Sequence, residues 1–550
     1  MAARYYKVWY VVERQKQNYG TARRGPEMTL IPIQFPPGLE RNNTPYDTPG
    51  AWWDSNLIRW QSGSILPIKG NERTTKNSLT GAVRKIYVYR GNDNTRITFV
   101  GTDSNLYVDQ GSYTDVTPTS VLTPNYYGVG KYGKGAYASH AFVPLGTVGV
   151  NGGYSTFEYG KYGFGNARPF PSPSYIPYGF WSFTNWGEDV IYTTNADGRL
   201  WYATTGTPAT PASLITTAPV GNNSVIVTDE RHVMAIGQTG SGGSFRRVAW
   251  SSREDYADWN FSSTTNTAGY LDLNVRTPLL KGVKVKEGIL IFSQTDIYLA
   301  SYVGTPYIYG FQRVSDTEMF HPDGIATFNG KAVWLSRTGF QLYNGGFVQP
   351  LDCPILNDIL GEMDPIYGPI RIHAAHNGVY PEIWFFYPTQ GNNESNRYVI
   401  WNYQENWWAW GYMSRSAMAT ADVYKYPYMG AADGNVYQHE TGYTDAGVSR
   451  VGQIWAETGA LGIENGDQTI EVRQVIPSTG TGYNNLNISF YSRMTPEGAE
   501  RTFGPYSPRS DGYTDVRVSG REARIRFNAS QDADFGIGKV RLDVSKGSGR

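Results

Sequence analysis

His373 and His376, in RIHAAHNGVYPE, are the most closely spaced of six histidines in a chain of 550 residues. On a helix, that spacing would aim both rings at one metal ion; on a strand, an odd separation sends them to opposite faces. The flanking residues read as a strand, so no metal site is expected. Carboxylates come next, because glycoside hydrolysis needs two acids within a few ångströms of each other. Glu188 with Asp189, and Glu254, Asp255 and Asp258 in SSREDYADWN, are neighbours in sequence. Such neighbours are usually turn residues, and Asp255 and Asp258 suit the capping of a turn after the strand RRVAW. The single cysteine, Cys353, lies between Asp352 and Pro354 with no partner at zinc-ligand spacing, and reads as a small buried apolar residue. No GxSxG elbow, GxxxxGKS/T phosphate loop, HExxH helix or SxDxGxTW sialidase box occurs. The expectation is a chain without catalytic residues, cofactor or metal, and not an enzyme.

The elements that would position any such groups are marked by aromatic residues. The segment RYVIWNYQENWWAWG, 397 to 411, carries six rings in fifteen positions. Alternation along a strand sends Tyr398, Ile400 and Asn402 one way and Val399, Trp401 and Tyr403 the other. Both faces are then rich in large apolar groups, as a sheet packed between two other sheets requires. Burying each ring contributes roughly 1.5 to 3 kcal/mol, so the rings read as packing rather than as a platform for sugars or bases.

The same pattern recurs: a few alternating apolar residues, a tight polar turn, then an apolar pair ending in Tyr or Trp. It appears in ITFVGTDSNLYVDQ (97 to 110), DVIYTTNADGRLWYAT (189 to 204), RRVAWSSRED (246 to 255), GILIFSQTDIYLAS (288 to 301), KAVWLSRTGFQLYNG (331 to 345), RYVIWNYQENWWAWG, and YMGAADGNVYQHE (428 to 440). Asp103-Ser104, Asp197-Gly198, Thr338-Gly339 and Asp433-Gly434 supply residues that tolerate hairpin turns, so each unit is a hairpin. Hairpins at this spacing suit the blades of an all-β propeller of about six to eight blades, where radial stacking buries both faces of each sheet.

Residues 1–34 read as an N-terminal extension or arm, 35–124 as the first propeller strands, and 181–449 as the remaining blades. Between them, 125–180 is a Tyr/Gly-rich insertion, NYYGVGKYGKGAY followed by EYGKYGFGNARPFPSPSYIPYGF. Glycine frees the chain and tyrosine offers amphipathic rings of low side-chain entropy, so Tyr126, Tyr127, Tyr132, Tyr137, Tyr159, Tyr162 and Phe164 are candidates for partner contact. Residues 450–550 lose the repeat and alternate as in TIEVRQVIP, YTDVRVSG and REARIRFNAS, a C-terminal β-sandwich-like domain. In Arg524-Ile525-Arg526-Phe527 the alternation predicts one buried face and one wet, basic face.

Lysine plus arginine, 48, equals aspartate plus glutamate, 48, so there is no overall electrostatic footprint for gripping phosphates. No segment reaches the roughly 18 uninterrupted apolar residues of a membrane span. The start, MAARYYKVWYVVERQKQ, carries Lys7 within its apolar stretch and no small-residue cleavage site, so a secretory signal is not expected.

The stretch FPPGLERNNTPYDTPGAWWDSNLIRWQSGSILPIKGNER (35 to 73) resembles the opening of a family of tailed-bacteriophage structural proteins, with a Pro-Gly-x-x-Arg start, a Trp-Asp-x-x-x-Leu/Val-Arg stretch and a Pro-rich turn. YGFWSFTNWGEDVIYTTNADGRLWYAT, RRVAWSSREDYADWNFSSTTNTAGYLDL, PLDCPILNDIL, EIWFFYP and the closing GREARIRFNASQDADFGIGKVRLDVSKGSGR are similar to later parts of that family, covering about residues 30 to 550. The resemblance implies a nozzle or tail tubular protein of a short-tailed phage, of the packaged-DNA-stabilisation type. By the same resemblance it would be a homohexamer beneath the portal and its head-to-tail adaptor protein, made in the host cytoplasm and carried in the virion tail. It would retain and then conduct double-stranded DNA without sequence-specific binding, and dock tail fibre, spike or needle proteins. A channel that conducts DNA should not grip phosphates, which agrees with the neutral charge. The competing expectation is a propeller that binds or cleaves host-surface carbohydrate.

Overall fold

The computed structural model describes residues 30–118 and 180–546, apart from 42–43, 75, 196–197, 239–242, 463–468, 481 and 496–497. Almost every described element is a strand, and every ladder between them is antiparallel. Seven four-stranded sheets follow one another along the chain, within 83–115, 181–214, 224–272, 279–315, 325–351, 373–412 and 417–439. We number them blades 1 to 7. In the first six, the strands pair in chain order from inner to outer.

The inner strands touch in succession around a ring, blade 1 to blade 7, and the inner strand of blade 7 (Ala417–Ala419) contacts that of blade 1 (Val83–Arg90). The chain is a seven-bladed β-propeller. Its closure is explicit: blade 7 takes three strands from 417–439, and its fourth, outer strand is Asn71–Arg73, paired with Val436–His439. The residues that lead into blade 1 therefore complete blade 7, and the ring is held by backbone hydrogen bonds rather than by side-chain packing alone. Each of the seven recurring motifs lies within a different blade. The fit between blades is close: a Cβ on Gly101 of blade 1 would lie 2.6 Å from the indole of Trp181 in blade 2, so only glycine admits that ring.

A second unit packs two sheets together. One runs Leu30–Ile33, Val540–Lys546, Ile470–Pro477, Thr514–Gly520; the other includes Trp52–Asn56, Trp455–Thr458, Glu522–Ala529 and Leu486–Arg493. Strict alternation of buried and exposed residues along Thr514–Gly520 matches its one-sided burial. The sandwich lies where the alternation places it, but it is not built from the C-terminal residues alone. Trp52–Asn56, read as one of the first propeller strands, pairs with Trp455–Thr458 instead. The physical reason is hydrophobic: Trp52 packs against Phe527 and Trp60, a core no blade offers.

The sandwich and blades 5 and 6 share one continuous core. In blade 6, Arg397–Asn402 is buried throughout and Trp407–Tyr412 is buried except at Tyr412. Trp407 meets Trp60 edge-on at 5.5 Å, and the Trp410 indole donates to Asp54 at 2.7 Å. The rings of 397–411 are glue. Neighbouring blades cover one part of them, and the sandwich covers the outer edge that a propeller would otherwise expose.

Candidate functional site

One group of polar side chains crosses the propeller axis. Lys85 stands on the inner strand of blade 1, Lys281 on that of blade 4, and Asp323 in the turn Pro322–Gly324 that leads into blade 5. Lys85 Nζ lies 3.2 Å and Lys281 Nζ 3.6 Å from the same oxygen, Asp323 Oδ1. Blades 1 and 5 are not neighbours in the ring, so this contact spans the centre and obstructs the axis at the end where the inner strands begin. Lys281 also donates to the Pro322 carbonyl at 2.6 Å. His321 Nδ1 accepts from the Asp323 backbone N–H, and the His321 ring meets Phe180 edge-on. His373, the first residue of the inner strand of blade 6, stacks on Phe386 at 4.7 Å.

Burial sets the protonation of this group. It would raise the Asp323 carboxyl, but the Lys85 and Lys281 ammoniums outweigh it and hold the acid at about 2. Burial and then the neighbouring Lys85 bring Lys281 down to about 8. Burial brings His321 to about 4 and His373 to about 3, so both rings are neutral at pH 7. Two ammoniums face one carboxylate. Asp323, 5% exposed, has an Oδ2 without a hydrogen-bond partner, and neither ring nitrogen of His373, 6% exposed, has a side-chain partner.

The rim at the same end carries a polar cavity of about 330 Å³ between blades 6 and 7, lined by residues including Asn392, Asn393, Glu394, Arg415, Asp433 and Tyr437. Glu394 accepts from Arg84 at 2.7 Å and from Arg371 at 2.5 Å. Burial would raise this acid, but the two guanidiniums outweigh it and lower its pKa. It is thereby a poor general acid, since that role needs a raised pKa. Arg415 lies over the Tyr437 ring at 4.1 Å and donates to His439.

A third polar group clasps the hairpin Ile58–Gln61/Ser64–Pro67 to blades 6 and 7. Arg59, 1% exposed, reaches Glu382 Oε1 at 3.0 Å and Glu440 Oε1 at 2.5 Å, with its guanidinium 3.6 Å above the Tyr380 ring. The Trp384 indole donates to Glu382, and Asn377 donates to Glu440. Burial drives Glu382 up to about 7, past the pull of Arg59.

His373 and His376 diverge, as odd strand spacing demands: one stacks on Phe386, the other faces the Tyr403 hydroxyl at 3.3 Å. Among the described residues no group of three His, Cys, Asp or Glu side chains is placed to hold a metal. Asp255 caps its turn by accepting from the Ala257 and Asp258 backbone N–H groups, and Asp189 is taken up by Tyr202 and Thr205. Cys353 is buried among apolar residues. Arg524 and Arg526 are not the wet face that alternation predicts: both pair with Glu457, and Arg526 lies 3.8 Å over Trp455. Tyr126, Tyr127, Tyr132, Tyr137, Tyr159, Tyr162 and Phe164 lie outside the described residues. Sequence reading missed Lys85, Lys281 and Asp323, since residues 196 and 42 apart become neighbours only once the ring closes; the signal open to it was a lysine at the third position of two inner strands, VRKIYVYR and LLKGVKV.

Fold and site define a seven-bladed propeller with a sandwich on one side and a charged plug on its axis. No protein-family model matches the chain, and no curated protein sequence does. Among solved structures it is similar to virginiamycin B lyase from Staphylococcus aureus, at 9% identity and TM-score 0.36 over 66% of this chain and 97% of that one. It is also similar to the Bacteroides ovatus xyloglucan PUL GH43B, at 10% identity and TM-score 0.25, over 66% of this chain and 96% of that one. The exo-β-1,3-galactanase from Phanerochaete chrysosporium follows at 9% identity and TM-score 0.19, over 66% and 95%. Likeness at this level assigns no activity.

Proposed function

We propose that the chain is a non-enzymatic component of a bacteriophage tail, a nozzle that continues the DNA channel beneath portal and adaptor, retains and then releases the genome, and docks fibres or spikes. The observation that carries this reading is where the aromatic side chains go. The rings of the recurring motifs are spent almost wholly on packing between sheets; of the exposed rings, Tyr270, Phe347, Tyr412 and Tyr513 stand singly, while Tyr302 and Tyr307 share a projecting hairpin in blade 4. There, Ile297–Gly304 and Ile308–Ser315 run on beyond the end of the neighbouring strand, whose pairing stops at Ala300, and Tyr302, Val303 and Tyr307 are 43%, 57% and 77% exposed. Such a tip suits contact with another protein better than a reaction. Because side chains cross each propeller's axis, the DNA would run through the lumen of a ring of six subunits. A head-to-tail rotational interface leaves such a lumen. The test is electron microscopy of virions decorated with antibody against this chain: label on the tail supports the reading, and label absent from particles refutes it.

The polar cavity between blades 6 and 7 favours a second reading, a propeller that binds host-surface carbohydrate. Amides, a carboxylate and a tyrosine around a shallow cavity suit sugar hydroxyls, while the depressed Glu394 argues for binding rather than cleavage. Titration with a panel of surface glycans, scored for binding and for released sugar, separates the two. Saturable binding at that cavity, lost on Asn393→Ala, would favour the second.

A further inference from the structure

We infer that the propeller axis is a binding site for a small hydroxylated anion, a dihydrogen phosphate or an α-hydroxycarboxylate, held by Lys85, Asp323 and His373. Three observations converge. First, charge does not balance: among the described residues Lys85 and Lys281 pair only with Asp323, while the nearby Arg84 and Arg371 are already engaged by Glu394. Lys281 is only 13% exposed at its side chain, and surplus positive charge there is costly; an anion relieves it. Second, Asp323 Oδ2 is buried without a partner, and neither ring nitrogen of the buried His373 has a side-chain partner. Native interiors rarely leave such groups unpaired, so something beyond the protein's own side chains completes them. Third, Lys85 is 31% exposed at its side chain, which leaves one flank of the cluster reachable from solvent.

The donor and acceptor count selects the ligand. An ionised Asp323 can only accept, so its partner must bring an O–H or N–H. Neutral His373 offers one N–H and one lone pair, and Lys85 has N–H groups beyond the one on Asp323. A bare halide satisfies the charge and not the carboxylate; water satisfies the carboxylate and not the charge. A hydroxyl next to an anionic oxygen does both: the hydroxyl donates to Asp323 Oδ2, and the anionic oxygens accept from Lys85 and His373. The metal alternative fails, because two ammoniums within 3.6 Å of Oδ1 of Asp323, the only carboxylate of the cluster among the described residues, would repel a cation.

The test is isothermal titration of the full-length protein with inorganic phosphate and, separately, with glycolate, using acetate and chloride as controls. The expected result is saturable binding of phosphate or glycolate, at least about tenfold weaker for acetate, which lacks the hydroxyl. Lys85→Met, which keeps the apolar stem, should abolish it. His373→Phe, which keeps the stacking on Phe386, should weaken it by about tenfold. Thermal melts of both variants establish that they are folded. Phosphate distinguishes itself from glycolate by which of the two saturates at lower concentration. Binding left unchanged in both variants, equal binding of acetate, or no heat from either anion overturns the inference and leaves the orphan groups to water.

Discussion

Two buried charge clusters in this chain solve opposite problems. Where the hairpin strand Ile58–Gln61 meets blades 6 and 7, one guanidinium faces two carboxylates; on the axis, two ammoniums face one carboxylate. The first cluster has an acid to spare and absorbs the imbalance by protonation, with burial lifting Glu382 to about 7. Its members are knit to one another and to Trp384 and Asn377, and so fix the hairpin against blades 6 and 7. The second has a base to spare, keeps its acid ionised at about 2, and leaves polar atoms without side-chain partners. A closed cluster fixes structure; an incomplete one is where a ligand would act.

The largest effect should come from breaking the clasp. Arg59→Met leaves two buried glutamates opposed and should cost about 3–5 kcal/mol in denaturant unfolding. Trp407→Ala, next to it, removes a ring 2% exposed and should cost about 3–5 kcal/mol, with cavity formation as the cause. If Arg59→Met cost less than about 1 kcal/mol, the clasp would be incidental to the packing around it.

The pH dependence sharpens the contrast. A carboxyl raised from 4.5 to about 7 on folding stabilises the native state below 4.5, and that contribution is lost as pH rises from 4.5 to about 7. Glu382→Gln, which replaces the carboxyl with a non-titrating amide of the same shape, should flatten this fall, worth about 3 kcal/mol in total by linkage, as read from urea midpoints between pH 4.5 and 7.5. His373 acts in the opposite sense: its folded pKa lies at about 3, below the ordinary 6.5, so the unfolded state takes up a proton first and stability falls as pH drops from 6.5. His373→Phe should therefore gain on the parent protein at pH 5 relative to pH 7, by about 2 kcal/mol. The smallest effect is expected at the exposed pair Lys284–Asp229, 49% and 85% exposed at their side chains. Lys284→Ala should fall within about 0.5 kcal/mol of the parent, because water already screens that pair.

The blades were legible in the amino-acid sequence because hairpin turns and alternating rings are local signals. DVIYTTNADGRLWYAT and KAVWLSRTGFQLYNG each fall on two paired strands of one blade, and the seven motifs fall in seven blades, although RRVAWSSRED covers a single strand, Arg247–Trp250, and not a hairpin. What remained hidden is non-local. Asn71–Arg73 carries no mark that it will finish blade 7, since its partner lies more than 360 residues away. Trp52–Asn56 reads as any other strand until Phe527 is beside it. The axial group was invisible for the same reason: Lys85, Lys281 and Asp323 sit in three unrelated stretches and meet only at ring closure. Arg524 and Arg526 misled because alternation reports which side faces the core and not what covers the other side, which here is Glu457 and Trp455.

The central claim is that this propeller works by assembly, with its rings as mortar between sheets and its exposed hairpin as a joint. Cryo-electron microscopy of the intact virion tests it most directly. The account predicts six copies of the chain in a closed ring beneath the adaptor, with a DNA-wide lumen between subunits and the Tyr302–Tyr307 tip buried against a neighbouring protein. A tail that lacks this chain, or a ring in which DNA threads the propeller axis through the Lys85–Asp323 contact, would contradict it.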